Sequence, residues 1–175
     1  KEYGLKTLVG AWLGDDLEKN EQEIEGLLQL AKEGFVDIAA VGNEVLYRKD
    51  LNEDQLLDYI KRVKEQVKDV PVGYVDAYYE FEIKPRVTEI CDVILANCYP
   101  FWEGCHNDYA LLYMKDMYQR TKKVANGKKV IITETGWPSE GQDLYGAHPS
   151  KEGFMRYFIN TQHWSASEDI EIFYF

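Results

Sequence analysis

Six short runs rich in apolar and β-branched residues punctuate the chain, at positions 7–13, 35–41, 70–75, 91–96, 129–133 and 170–175. Each is too short for an ordinary helix, so the pattern predicts six strands. Between them the apolar residues fall at helical spacing. Ile24, Leu27, Leu28 and Ala31 form one stripe and Leu56, Ile60, Val63 and Val67 a second, with charged residues on the other faces. A third helix is predicted over 109–125, stopped by Asn126-Gly127. A fourth begins near Pro149-Ser150 and carries Phe154, Tyr157, Phe158 and Thr161 on one stripe. The segment 78–90 fits neither period.

The strands are apolar throughout rather than alternating, the mark of a parallel sheet covered on both faces by helices. An α/β fold follows, and 175 residues make one domain over 1–175. The strand-to-strand repeat is roughly 30 residues; eight such units make the ~250 residues of a (β/α)8 TIM barrel, and six make about this chain. A doubly wound sheet is the competing architecture. It would normally carry a Gly-rich phosphate turn after its first strand, and Gly10-Ala11-Trp12-Leu13-Gly14 is not one. The pattern favours an incomplete (β/α)8 barrel.

Charge narrows the partners. With 20 Lys+Arg against 31 Asp+Glu the formal charge is −11, so the basic surface that nucleic-acid binding needs is missing. No apolar run approaches the ~20 residues that span a bilayer. Neither nucleic acid nor membrane is an expected partner. The chain opens on Lys1, without methionine, within two residues of what reads as a helix end. Cys91, Cys98 and Cys105 include no Cys-x-x-Cys pair, so neither a disulfide framework nor a zinc site is indicated. At most one disulfide can form, Cys98 and Cys105 being a candidate pair, and free buried thiols are the simpler expectation. The 13 Tyr, 4 Trp and 7 Phe supply flat amphipathic rings that either pack a core or line a site for a polar, flat-faced ligand.

Barrel chemistry sits at the C-terminal ends of strands. The second run ends in Val41-Gly42-Asn43-Glu44 and the fifth in Thr133-Glu134-Thr135-Gly136-Trp137-Pro138, so each delivers a carboxylate to its tip. Strands three positions apart face each other across a barrel mouth. Glu44 and Glu134 are therefore either solvated strand-end glutamates or two carboxylates flanking one bond, the arrangement glycoside hydrolysis requires.

Val41-Gly42-Asn43-Glu44-Val45 and Ile132-Thr133-Glu134-Thr135-Gly136-Trp137-Pro138-Ser139 resemble the two signature motifs of glycoside hydrolase family 17, in clan A. Asn97-Cys98-Tyr99-Pro100-Phe101 resembles the family's strand-six motif, so the likeness covers nearly the whole chain in order. The family comprises 1,3-β-glucan hydrolases and related glucanosyltransferases, which implies a β-glucan substrate, no cofactor, and a secreted or cell-envelope setting. Counting back, the visible strands would be barrel strands three to eight. The first two βα units and the last helix then lie outside these 175 residues, leaving two apolar edges prone to aggregation.

The resemblance implies roles residue by residue. Glu44 would be the general acid and then base, a task that calls for a raised pKa, and Glu134 the ionised nucleophile of a retaining double displacement. Retention implies carboxyl groups about 5 to 5.5 Å apart. Asn43 would hydrogen-bond the sugar 2-hydroxyl, and Tyr99 would hold Glu134. Phe101, Trp102 and Trp137 are candidate stacking platforms for the apolar faces of pyranose rings, Trp137 foremost. Trp12 and Trp164 suit the core equally well. Asp76, Tyr78 and Tyr79 follow a strand and either reach sugar hydroxyls or, as is usual for loop residues, are only solvated. His106 and His148 are dispersed, without the carboxylate cluster a metal site needs. Asp15-Asp16-Leu17-Glu18 reads as a helix N-terminal charge complement. A glucanosyltransferase using the same glutamates, a non-catalytic β-glucan-binding barrel and a metal-dependent barrel lyase are the alternatives.

Overall fold

The computed structural model describes residues 3–175, and the helix end read near Lys1 lies outside them. The elements run β1 (Leu8–Ala11), α1 (Leu17–Lys32), β2 (Ile38–Asn43), α2 (Val45–Arg48), α3 (Glu53–Gln66), β3 (Val72–Ala77), α4 (Glu80–Ile83), α5 (Pro85–Ile90), β4 (Val93–Asn97), α6 (Asn107–Val124), β5 (Lys129–Thr135), α7 (Lys151–Glu168) and β6 (Ile172–Tyr174). The six strands form one sheet in the order β1-β2-β3-β4-β5-β6, and every neighbouring pair is parallel. A doubly wound sheet would reverse its strand order part-way. This one never does, and the fold is an incomplete (β/α) barrel, a curved arc with helices on its outer face.

The helices start and stop where local chemistry dictates. Asp16 caps α1, its side chain accepting from Lys19 N–H at 3.1 Å, with Glu18 in the first turn, so the acidic run is the N-terminal complement expected of it. Asn52 and Gln55 form a reciprocal capping box on α3. Ser150 caps α7 through Gly153 N–H at 2.9 Å. Asn126 and Gly127, both at positive φ, end α6 as the sequence predicts. Segment 78–90 resolves into two short helices, α4 and α5, because Pro85 cannot continue the helix before it but suits the first turn of the next.

Two stripes differ from expectation. On α7 the buried positions are Gly153, Tyr157, Thr161 and Trp164, while Phe154 and Phe158 stay exposed and meet Tyr174 edge-on. The second strand begins at Ile38 rather than residue 35, because Gly34 at φ +78 ends α1 and leaves Phe35 exposed in the turn. The main core lies between the sheet and its helices, around Ile24, Leu56, Ile60, Tyr74, Ile94, Met114 and Ile132. A smaller cluster of Ala40, Val75, Val93, Leu95 and Ile131 covers the inner face of the arc. The inner strands β2 to β5, largely buried on both faces, need no polar alternation, which is why they read as continuous apolar runs.

Candidate active site

The tip of β2 leaves regular geometry. Its register against β3 shifts between Ala40 and Asn43, Gly42 sits at φ +83, and Glu44 follows at φ +54. A glutamate rarely adopts that left-handed backbone unless its surroundings hold it there. Glu44 N–H donates to Val75 O at 2.8 Å. The Arg48 guanidinium donates to the carbonyls of Asn43 and Leu13 while its Nε pairs with Asp50 at 2.7 Å. Buried Asn97, last in β4, donates through Nδ2 to Glu44 Oε1 at 2.9 Å and to Asn43 Oδ1 at 3.3 Å. Its own Oδ1 accepts from Thr133 Oγ1 at 2.9 Å, which fixes the orientation of the amide.

The tip of β5 delivers the second carboxylate through the same device. The β4–β5 register shifts between Ala96 and Asn97, so that Asn97 pairs with Glu134. Glu134 Oε2 accepts from the Tyr99 hydroxyl at 3.0 Å. Burial pushes the Glu134 carboxyl up from its ordinary value; the Tyr99 hydrogen bond pulls it down, the neighbouring Glu44 raises it, and a hydrogen bond from the Asn43 side chain lowers it. Burial and the Glu134 charge keep the Tyr99 phenol protonated and hence a donor.

Glu44 and Glu134 line one pocket of about 350 Å³, walled by Tyr78, Tyr79, Tyr99, Trp102 and Glu103. A second hollow of about 260 Å³ shares Glu134 and is walled by Asn43, Trp12, Ala11 and Phe173. Glu134 thus stands between two adjoining hollows, the one it shares with Glu44 rich in aromatic rings. Trp102 is 65% exposed and presents its indole to the first. The Glu103 side chain accepts from the Tyr113 hydroxyl and, at 3.4 Å, from Tyr78; Arg120 in turn donates to Tyr78 at 3.0 Å and is clamped by Glu82.

A profile of the BtgE/BtgC glycoside hydrolase domain matches residues 1–175. The chain belongs to this family. Glucan 1,3-beta-glucosidase BGL2 of Candida albicans is 28% identical over 171 residues, covering 85% of this chain and 55% of that protein. A glucan 1,3-beta-glucosidase of Schizosaccharomyces pombe is 28% identical over 189 residues, 99% of this chain and 59% of that protein. The crystal structure of the glycoside hydrolase family 17 β-1,3-glucanosyltransferase of Rhizomucor miehei superposes with a TM-score of 0.91 at 31% identity, over 99% of this chain and 66% of that one. The chain spans little more than half the length of these two glucan 1,3-beta-glucosidases.

In this family member the structure brings together Glu44, Glu134, Asn43, Tyr99 and Trp102 and leaves two expected platforms elsewhere. Phe101 and Trp137 are each 3% exposed. They pack edge-to-face on one another at 5.2 Å with Tyr157 beneath, and Trp137 Nε1 donates to His148 O at 3.1 Å, so neither offers a ring face to a ligand. The apolar loop core needed large rings, and the motif supplied them. Trp12 is exposed at the second hollow under the Arg48 guanidinium, whereas Trp164 is core. Tyr78 and Tyr79 are pocket walls rather than solvated loop residues, because α4 turns the chain back over the strand ends. His106 and His148, far apart in sequence, meet edge-on with ring centres 6.3 Å apart, each beside an aspartate, Asp108 and Asp143. All three cysteines are free. Sequence reasoning missed Asn97 and Glu103 as pocket residues; the end of the fourth strand run was the signal for Asn97, and Glu103 gave none.

Asp76 corrects the solvated reading as well. It is fully buried, and burial pushes its carboxyl up to about 7 against a lowering hydrogen bond from Tyr74, with Glu80 and Glu44 adding to the rise. A folded-state pKa raised above the unfolded one favours the neutral form, so its contribution is complete below about pH 4 and is lost as pH rises through about 7. The Tm of the native protein should therefore fall relative to that of Asp76→Asn between pH 4 and pH 7, and the difference should be flat from pH 8 upward. A constant difference across that range would mean that Asp76 does not titrate there.

Proposed function

We propose that the protein cleaves 1,3-β-glucan by a retaining double displacement. Glu44 protonates the glycosidic oxygen as the bond from it to C1 breaks, and a Glu134 oxygen bonds C1 to give a glycosyl-enzyme. Water then attacks C1, its proton passes to Glu44, and Glu134 leaves as carboxylate. The observation that carries this reading is that two carboxylates from separate strand tips share one pocket, Glu44 held there by Asn97 and Glu134 by Tyr99. The hydrogen bond from Tyr99 stabilises the ionised form of Glu134 against burial, as a nucleophile needs. Asn43, which shares the second hollow with Glu134, would hydrogen-bond the sugar 2-hydroxyl, and the exposed Trp102 would supply the flat apolar face on which a pyranose ring stacks.

The relatives' names, glucan 1,3-beta-glucosidases, and a laminaritriose complex of the Rhizomucor miehei enzyme support the substrate class. A second outcome uses the same residues. If an acceptor sugar on the Trp102 side reaches C1 before water does, the reaction is glucanosyl transfer, the activity named for that structural relative. Incubating the protein with laminarin at rising oligosaccharide concentration separates the two by product length. Trapping with a 2-fluoro-laminaribiosyl fluoride, followed by peptide mapping, should place the covalent label on Glu134. A label on Glu44 would reverse the roles, and binding of laminarin without any product would make this a β-glucan-binding barrel.

A further inference from the structure

The backbone on which Glu44 rides has an unusual support. Glu44 stands at the N-cap position of α2, where a side chain ordinarily accepts from a free N–H of the first turn. Its carboxylate makes no such bond, being directed to Asn97 instead. The orphaned Leu46 N–H donates to the Tyr74 hydroxyl at 3.0 Å. Tyr74 lies one strand away on β3, fully buried, and its hydroxyl donates in turn to Asp76 Oδ2, while Asp76 Oδ1 accepts from Ala77 N–H at 2.8 Å. The Tyr74 ring also packs beneath Gly42, where an added Cβ would come within 3.4 Å of Tyr74 Cε2. A phenol from the next strand thus caps the turn that Glu44 cannot cap for itself.

Resting on the reading of Glu44 as acid and base, we infer that Tyr74 and Asp76 are positioning residues for Glu44: they take over its helix cap, freeing its carboxylate for proton transfer at a fixed place in the pocket. The chain of bonds has a direction. Tyr74 spends its oxygen on Leu46 N–H and its proton on Asp76, and Asp76 accepts both from Tyr74 and from Ala77. In Asp76→Asn the oxygen remains with Ala77, so an amide N–H faces the phenol, which loses its acceptor. In Tyr74→Phe the Leu46 N–H loses its partner, and the turn that begins at Glu44 loses one of its two ties to β3, the Glu44 N–H bond to Val75 O remaining.

Neither change touches Glu134 or Tyr99, so the expected defect is selective. Breaking a glucosyl–glucose bond requires the acid, because a sugar alkoxide is a poor leaving group. Fluoride leaves without a proton, and azide attacks the glycosyl-enzyme without a base. In the full-length protein, Tyr74→Phe and Asp76→Asn should lower kcat on laminarin by about tenfold to a hundredfold, the cost of misplacing a reacting group by about 1 Å. Fluoride release from β-laminaribiosyl fluoride with azide present should stay within about twofold of native, since the acid is not used. Should Tyr74→Phe fail to fold, Asp76→Asn, which conserves volume, decides the question. Glu44→Ala sets the reference and should show the same split, only larger. If Glu44→Ala shows no split, the acid assignment falls and the inference falls with it. If Glu44→Ala shows it while Tyr74→Phe and Asp76→Asn depress both substrates alike, or neither, the inference alone is overturned.

Discussion

Replacing either pocket glutamate should all but stop glucan cleavage, and the stereochemistry of rescue should tell the two apart. On the mechanism proposed above, Glu134→Gly removes the group that bonds C1, so no glycosyl-enzyme should form and kcat on laminarin should fall by roughly five orders of magnitude. Glu44→Ala leaves the nucleophile but withdraws proton transfer, a loss of about 10² to 10⁴. Azide distinguishes the defects. In Glu44→Ala it intercepts the intermediate from the face the leaving group vacated, and the product is the β-glucosyl azide. In Glu134→Gly it fits the void left by the carboxylate and attacks from the opposite face, giving the α-azide. Proton NMR of the anomeric position reads the result directly. The same anomer from both variants would contradict the division of labour between β2 and β5.

The largest effect on stability is expected at a position with no chemistry at all. Gly73 pairs with Val93 across β3 and β4, and a Cβ built there would lie 2.6 Å from Val93 O and 2.9 Å from the Leu95 side chain. Both neighbours belong to the central strand of the arc, buried on each side, so neither can retreat. Gly73→Val should destabilise the protein by about 3 kcal/mol or more, lowering Tm by on the order of 10 °C. Gly26, exposed within α1 with nothing near its absent Cβ, is the control. Gly26→Ala should raise Tm slightly, since alanine restricts the unfolded chain and favours the helix. Equal Tm values for Gly73→Val and the native protein would mean that the β3–β4 contact is looser than the distances state.

What the sequence revealed and what it hid divide along physical lines. All six strands and the four long helices were legible because each buries a stripe or a face long enough for its period to emerge above composition. The one-turn helices α2, α4 and α5 were not, since four to six residues cannot display a 3.6-residue period. Glu44 and Glu134 were legible from their place after strand runs, whereas the part played by Asn97 depends on a cross-strand hydrogen bond to a residue 53 positions away. Trp137 was misread for a related reason. A tryptophan at a strand tip faces either the ligand or the loop core, and only the packing of Phe101, Tyr157 and Ala147 around it decides.

The register shifts at the strand tips carry a consequence for how such a molecule can diverge. They fall between Ala40 and Asn43, Ala96 and Asn97, and Ile132 and Thr135, just where the polar pocket residues begin. Below them, strict alternation ties each inward side chain to the phase of its strand. Above them that phase is reset, and Thr133 and Glu134, adjacent in sequence, both turn toward the hollow walled by Trp12. The aim of the carboxylates is therefore inherited from hydrogen bonds among Asn43, Asn97, Tyr99 and Thr133, not from the apolar layers beneath. Exchanging Val75 or Ile131 for another apolar residue of similar size should therefore leave the aim of both glutamates unchanged, so the floor can vary in composition independently of the rim.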